Sequence, residues 1–135
     1  MRIKVIPGDF VVEERAALCL QPSGLWAVYR VRKVGLTTLA ARSRLAAALG
    51  LSDQQVLFPA LKDKEAVTVQ HACLPPRLPE HVELEGLMAE RIGYRAAPLT
   101  AADLRGNAFT LVLRDLDAAE AAHLAERLVQ MARDG

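Results

Sequence analysis

The stretch Ala60-Leu61-Lys62-Asp63-Lys64-Glu65-Ala66-Val67-Thr68-Val69-Gln70-His71-Ala72-Cys73-Leu74 sets the reading of this chain. A knot of alternating charges runs directly into a segment rich in β-branched side chains. Such side chains fit a pleated surface, so Ala66–Leu74 is predicted to be a strand. Its Val67, Val69 and His71 would face one way and Thr68, Gln70 and Ala72 the other. If Lys62-Asp63-Lys64 is extended too, the lysines project together and the carboxylate points away from them. That arrangement suits lysines aimed at phosphates and an aspartate aimed at a pocket. Taken alone, the triplet describes a turn of solvated charges equally well.

Working outward, Arg2 to Ile6 reads as a short strand stopped by Pro7-Gly8, and Phe10 to Leu18 as a second extended stretch. Gln21-Pro22-Ser23-Gly24 is a turn. Leu25 to Val34 alternates, with Trp26, Val28, Arg30 and Arg32 on one face and Ala27, Tyr29 and Val31 on the other. Thr37 or Thr38 can cap a helix from Leu39 to Leu49, closed by Gly50, with Leu45, Ala46 and Leu49 inward. Val56-Leu57-Phe58 is a short strand, and Pro75 to Pro79 a rigid loop. A strand is expected over Met88 to Arg95, with Gly86 and Gly93 as breaks. One helical turn is expected at Ala101 to Leu104, and a strand over Phe109 to Leu116. Asp117-Ala118-Ala119-Glu120 opens a final helix with Leu124, Leu128 and Met131 on its apolar face. The prediction is one α+β domain over residues 1–135, a largely antiparallel mixed sheet with two main helices.

The chain has 135 residues, 52% hydrophobic and 24% charged, which favours a folded globule over disorder. No apolar stretch is long enough to cross a bilayer, and the start lacks a secretory signal, so a cytoplasmic location is expected. Cys19 and Cys73 form no Cys-x-x-Cys pair. His71 and Cys73 would share a strand face, yet nothing nearby completes a ligand set, so no metal is expected. Net charge is +1, but residues 1–64 hold ten Lys/Arg against five Asp/Glu, and residues 65–135 seven against eleven. Arg30, Arg32, Lys33, Arg42, Arg44, Lys62 and Lys64 make up most of the basic side. Clustered cations of this kind can meet phosphate oxygens, or simply form solvated faces.

Aromatic residues are scarce, at 4%, and two of the phenylalanines stand in distinctive company. Phe10 lies in Pro7-Gly8-Asp9-Phe10-Val11-Val12-Glu13-Glu14 and Phe109 in Gly106-Asn107-Ala108-Phe109-Thr110-Leu111-Val112-Leu113-Arg114. On an extended strand, Asn107 and Phe109 would lie on one face. Together with Lys62-Asp63-Lys64-Glu65-Ala66-Val67-Thr68-Val69-Gln70, these segments resemble, in order and spacing, the TruD family of tRNA pseudouridine synthases. The match runs from about Lys4 to Leu116. The resemblance implies isomerisation of uridine to pseudouridine at uridine thirteen of tRNA. It makes Asp63 the catalytic carboxylate, Lys4 its supporting cation, and Phe10, Asn107 and Phe109 the set that holds the base. Arg30, Arg32, Lys62 and Lys64 are candidates for RNA phosphate contacts.

The reaction breaks the bond from uracil N1 to ribose C1′, turns the base and rejoins it through C5. A carboxylate can attack C6 of the base or C1′ of the sugar, or remove the C2′ proton. Every route needs Asp63 ionised, and a neighbouring cation favours that form. Nothing is oxidised or hydrolysed, so no cofactor is expected. An extruded base also needs a flat apolar surface, and stacking on a ring contributes on the order of 1–3 kcal/mol.

Two positions depart from the family pattern. Gly8 stands where Glu is usual, and Pro59-Ala60 replaces Ala-Gly. Alanine enters φ > 0 conformations less readily than glycine, so the loop carrying Asp63 is expected to take another shape. Family members continue beyond the point where this sequence stops, so the resemblance implies a catalytic domain completed by later strands. A second chain or self-association could supply them. The alternative from another class is a non-catalytic RNA-binding or assembly module that keeps the uridine pocket without turnover.

Overall fold

Alternation along Trp26–Val34 (β2) builds the centre of the sheet. Ala27, Tyr29, Val31 and Lys33 are buried beneath a helix, while Arg30, Arg32 and Val34 are exposed on the opposite face. A computed structural model describes residues 10–62, 67–111 and 126–127, with the backbone alone at 10 and 109–111. The other strands are Phe10–Ala16 (β1), Val67–Leu74 (β3), His81–Leu84 (β4), Leu87–Arg95 (β5) and Leu104–Leu111 (β6). They form one six-stranded sheet in the order β4-β5-β2-β3-β1-β6. β1 and β3 are parallel and every other neighbouring pair is antiparallel, so the sheet is mixed and the domain α+β.

Thr38–Leu49 (α1) covers one face. The Thr37 hydroxyl caps it by accepting from the Ala40 N–H at 3.1 Å, and Gly50 ends it in the left-handed region at φ 69°. A β-branched or other Cβ-bearing residue would be strained there, which is why the helix stops at glycine. Ala41, Leu45 and Ala46 pack onto Ala27, Tyr29, Val31, Ala72 and Leu74, with Val56 closing the layer. Complete burial of a side chain such as Leu45 contributes roughly 1.5–3 kcal/mol. Polar groups in this layer are satisfied locally. Tyr29 donates to the Pro79 carbonyl at 2.6 Å and Lys33 to the Leu36 carbonyl at 2.8 Å. Burial pushes the Tyr29 hydroxyl above its ordinary value. On the other face Val28, Cys73 and Leu99 form a smaller cluster, whose burial raises the Cys73 thiol.

Several elements differ from the sequence expectation. The stretch after Pro79 is a hairpin, β4 and β5, with Gly86 at φ 71° in its turn. Gly93 does not break β5. It sits at a bulge opposite Val28, where an added Cβ would lie 2.8 Å from the Cβ of Leu20. Val56–Phe58 reduces to one bridge, Leu57 to Cys73. β6 begins at Leu104, five residues before the expected start at Phe109, and passes through Gly106 at φ 95°. The predicted strand Arg2–Ile6 and nearly all of the final helix lie outside the described residues; Glu126 and Arg127 are helical. Among the described residues no helix is long and apolar enough to cross a membrane.

Candidate active site

The three motif segments, distant in sequence, become three consecutive strands. β1 lies between β3, which follows Asp63 by a few residues, and β6, which carries Asn107 and Phe109. Val11 pairs with Val67 and Val12 with Thr68 in the parallel ladder. On the other side Phe10 pairs with Leu111, Val12 with Phe109 and Glu14 with Asn107. The parallel direction matters. It sets the first described residues of β1 and β3 at the same end of the sheet. Lys4, Asp63 and Lys64 themselves lie outside the described residues, and Phe10 and Phe109 are described by backbone position only.

Glu14 is the residue that sequence reasoning missed. The β1–β3 ladder stops after Glu13, and β1 bulges between Glu14 and Ala16. Where the strands part, the Glu14 carboxylate takes the place of the missing partner: Oε1 accepts from the His71 backbone N–H at 3.0 Å and from His71 Nδ1 at 3.1 Å. A carboxylate there can only accept, so Nδ1 carries the proton. Glu14 is 2% exposed. Its Oε2 and the Oδ1 of its cross-strand partner Asn107 are both buried without a hydrogen-bond partner among the described residues. Two acceptors on directly paired residues require a donor, which a turned Asn107 amide, a water or a ligand N–H would supply. No pattern announces a buried carboxylate in a strand reading Val-Val-Glu-Glu; only the pairing reveals it.

Residues 60–62, which lead into Asp63, are fixed by buried side chains. The Lys62 N–H donates to Thr38 Oγ1 at 2.7 Å, Thr38 Oγ1 lies 3.1 Å from Gln70 Oε1, and Gln70 Nε2 donates to the Ala60 carbonyl at 3.1 Å. Among the described residues Cys19 alone, glycines aside, has positive φ. Ala60 therefore stays out of the left-handed region, and the loop takes a shape alanine accepts.

The candidate phosphate contacts divide. Lys62 corrects the expectation of a solvent-facing lysine: it is 8% exposed, and desolvation pulls its ammonium below the ordinary value, opposed by the charge of Glu14. Its backbone N–H is held against Thr38 of α1. Arg30 and Arg32 are exposed on the face opposite α1 and, with Val69, Met88 and Glu90, line a shallow depression. Arg30 forms an ion pair with Glu13, both about half exposed. Such a surface pair contributes only about 0–1 kcal/mol, so a phosphate could displace the carboxylate readily. Among the described residues no group of His, Cys, Asp and Glu side chains could hold a metal ion.

Comparison with known proteins points to one family. The family model "tRNA pseudouridine synthase D (TruD)" matches residues 1–135. The tRNA pseudouridine synthase D of Proteus mirabilis is 33% identical over 141 residues, covering 99% of this chain and 39% of its own length. The protein of that name from Anaeromyxobacter sp. strain Fw109-5 is 37% identical over 128 residues, covering 90% of this chain and 37% of its own. The chain thus spans less than two-fifths of the length of these relatives. The crystal structure of a Methanosarcina mazei protein assigned to TruD superposes with a TM-score of 0.73 over 93% of this chain and 30% of that one, at 20% identity, a likeness of fold. With its whole length matched by the family model, the chain belongs to the TruD family of tRNA pseudouridine synthases.

Proposed function

We propose that this chain forms the uridine-binding part of a tRNA pseudouridine synthase that isomerises uridine to pseudouridine without a cofactor. In this reading Asp63 is the catalytic carboxylate and Lys4 the cation that keeps it ionised. Phe10 and Phe109 sandwich or line the extruded base, and Asn107 bonds to the nucleotide or orients Asp63. Arg30, Arg32 and Lys64 take the phosphates, with Lys62 contributing structure instead. The observation that carries the reading is the adjacency of β3, β1 and β6, which makes neighbours of three motif segments separated by long stretches of sequence. β6 is one edge of the described sheet, and strands from a second chain or another copy would add there to complete the catalytic domain.

The test is incubation of purified chain, wild type and Asp63→Asn, with unmodified tRNA, followed by nucleoside mass analysis and a tRNA-binding titration. Product from the wild type and none from the variant, with binding retained by both, supports the reading. Equal product from both defeats the role of Asp63. Tight tRNA binding without product from either supports the RNA-binding module instead.

A further inference from the structure

We infer that Thr38 and Gln70 are positioning residues for the catalytic loop, holding the backbone that precedes Asp63; this rests on the reading of Asp63 as the catalytic carboxylate. Thr38 begins α1, but its hydroxyl is not needed for capping, because Thr37 accepts the Ala40 N–H. It turns inward instead and accepts the Lys62 N–H at 2.7 Å, the residue immediately before Asp63. An oxygen taking that hydrogen still carries its own, and Gln70 Oε1 is the nearer acceptor at 3.1 Å, against 3.4 Å to the Lys62 carbonyl. The contact fixes the orientation of the Gln70 amide, since its oxygen is engaged by Thr38. Its NH₂ group is thereby aimed at the Ala60 carbonyl, 3.1 Å away.

Together these contacts form a relay of oriented bonds from Lys62 through Thr38 and Gln70 to Ala60. Both side chains are buried, Thr38 at 2% and Gln70 at 0% exposure. Water does not compete for these groups, and each bond lost would leave a buried polar atom unpaired. The two anchors come from different elements, α1 and the all-buried strand β3, so residues 60–62 are tied to both. Valine at 38 and methionine at 70 fill nearly the same space without these bonds. A role in packing alone would therefore tolerate both substitutions. A role in placing Asp63 would not, because small displacements of a reacting group cost on the order of 100-fold in rate.

The experiment compares Thr38→Val, Thr38→Ser, Gln70→Met and Asp63→Asn with the wild-type chain. It measures single-turnover pseudouridine formation at saturating tRNA, tRNA affinity, and hydrogen exchange at the Lys62 amide. Thr38→Val is expected to lose on the order of 100-fold in rate with affinity within about twofold, and to exchange the Lys62 amide at least about tenfold faster. Gln70→Met should lose rate in the same sense, and Thr38→Ser, which keeps the hydroxyl, should stay within about threefold of wild type in rate and match its exchange. A Thr38→Val variant as fast as wild type, in a chain whose Asp63→Asn variant is dead, overturns the inference while leaving the uridine site standing. If wild type and Asp63→Asn are indistinguishable, the uridine-site reading fails and the exchange measurement decides the anchoring: unchanged protection in Thr38→Val refutes it, lost protection upholds it.

Discussion

Replacing Glu14 by alanine tests how the end of β1 is held beside β3. The carboxylate accepts from the His71 N–H at 3.0 Å and from the His71 ring at 3.1 Å, at 2% exposure. A hydrogen bond to a charged group contributes about 1.5–3 kcal/mol, and a buried N–H left without a partner costs about 1–3 kcal/mol. Burying the charge itself is unfavourable, so its removal returns part of that loss. The expected destabilisation of Glu14→Ala is therefore about 3 kcal/mol, below the sum of the separate figures. Glu14→Gln keeps an acceptor for the backbone N–H and should cost about 1–2 kcal/mol. Urea unfolding followed by far-UV circular dichroism measures both. A second readout is the Asn107 side-chain amide resonance, which should shift in Glu14→Ala because Asn107 is the cross-strand partner of Glu14. A Glu14→Ala variant within about 0.5 kcal/mol of wild type, with Asn107 unmoved, would refute the idea that this carboxylate closes the gap between β1 and β3.

Two further predictions concern residues around Arg95. Gly24→Ala would put a Cβ 2.6 Å from the Arg95 carbonyl oxygen, a backbone atom that cannot swing aside; a loss of about 1–3 kcal/mol is expected, and an unchanged melting temperature would contradict it. Asp103 is held below its ordinary value of 3.8 by the Thr100 N–H, with the Arg95 guanidinium adding to the effect. A depressed carboxyl contributes stability that is present above 3.8 and lost as pH falls through the lower folded value. The destabilisation caused by Asp103→Asn should therefore be full well above 3.8 and shrink toward zero as pH falls through the lowered folded value. Denaturation midpoints across that range check the sign, and a gap that widens in acid would contradict it.

Much of the fold was legible because its elements obey one period each. β2 alternates cleanly, α1 runs from its threonine cap to Gly50, and β3 is a single β-branched run, all within a residue or so of expectation. Apart from Val56–Phe58, which makes a single bridge, differences cluster near glycines. Gly86 and Gly93 both read as breaks, yet only Gly86 makes a turn; Gly93 accommodates Leu20 at a bulge within β5. A glycine's role depends on what approaches it in space, which a local pattern does not contain. The same holds for the site. Phe10 lies on β1 and Asn107 and Phe109 on neighbouring β6, while Lys4 and Asp63 lie outside the described residues; Lys62, expected as a surface charge, is buried, and the pattern gives no sign of Glu14. Both errors concern burial of a charge, and burial is decided by neighbours contributed from α1, β3 and β6.

The central claim is that one uridine sits where the segments before β3, in β1 and in β6 converge. A tRNA bearing photoactivatable 4-thiouridine at the target position tests it directly, with cross-linked peptides of the Asp63→Asn chain mapped by mass spectrometry. Cross-links confined to peptides containing positions 10, 63 and 107–109 are predicted. Cross-links mapping instead to the outer face of α1 or to the β4–β5 hairpin would contradict the account.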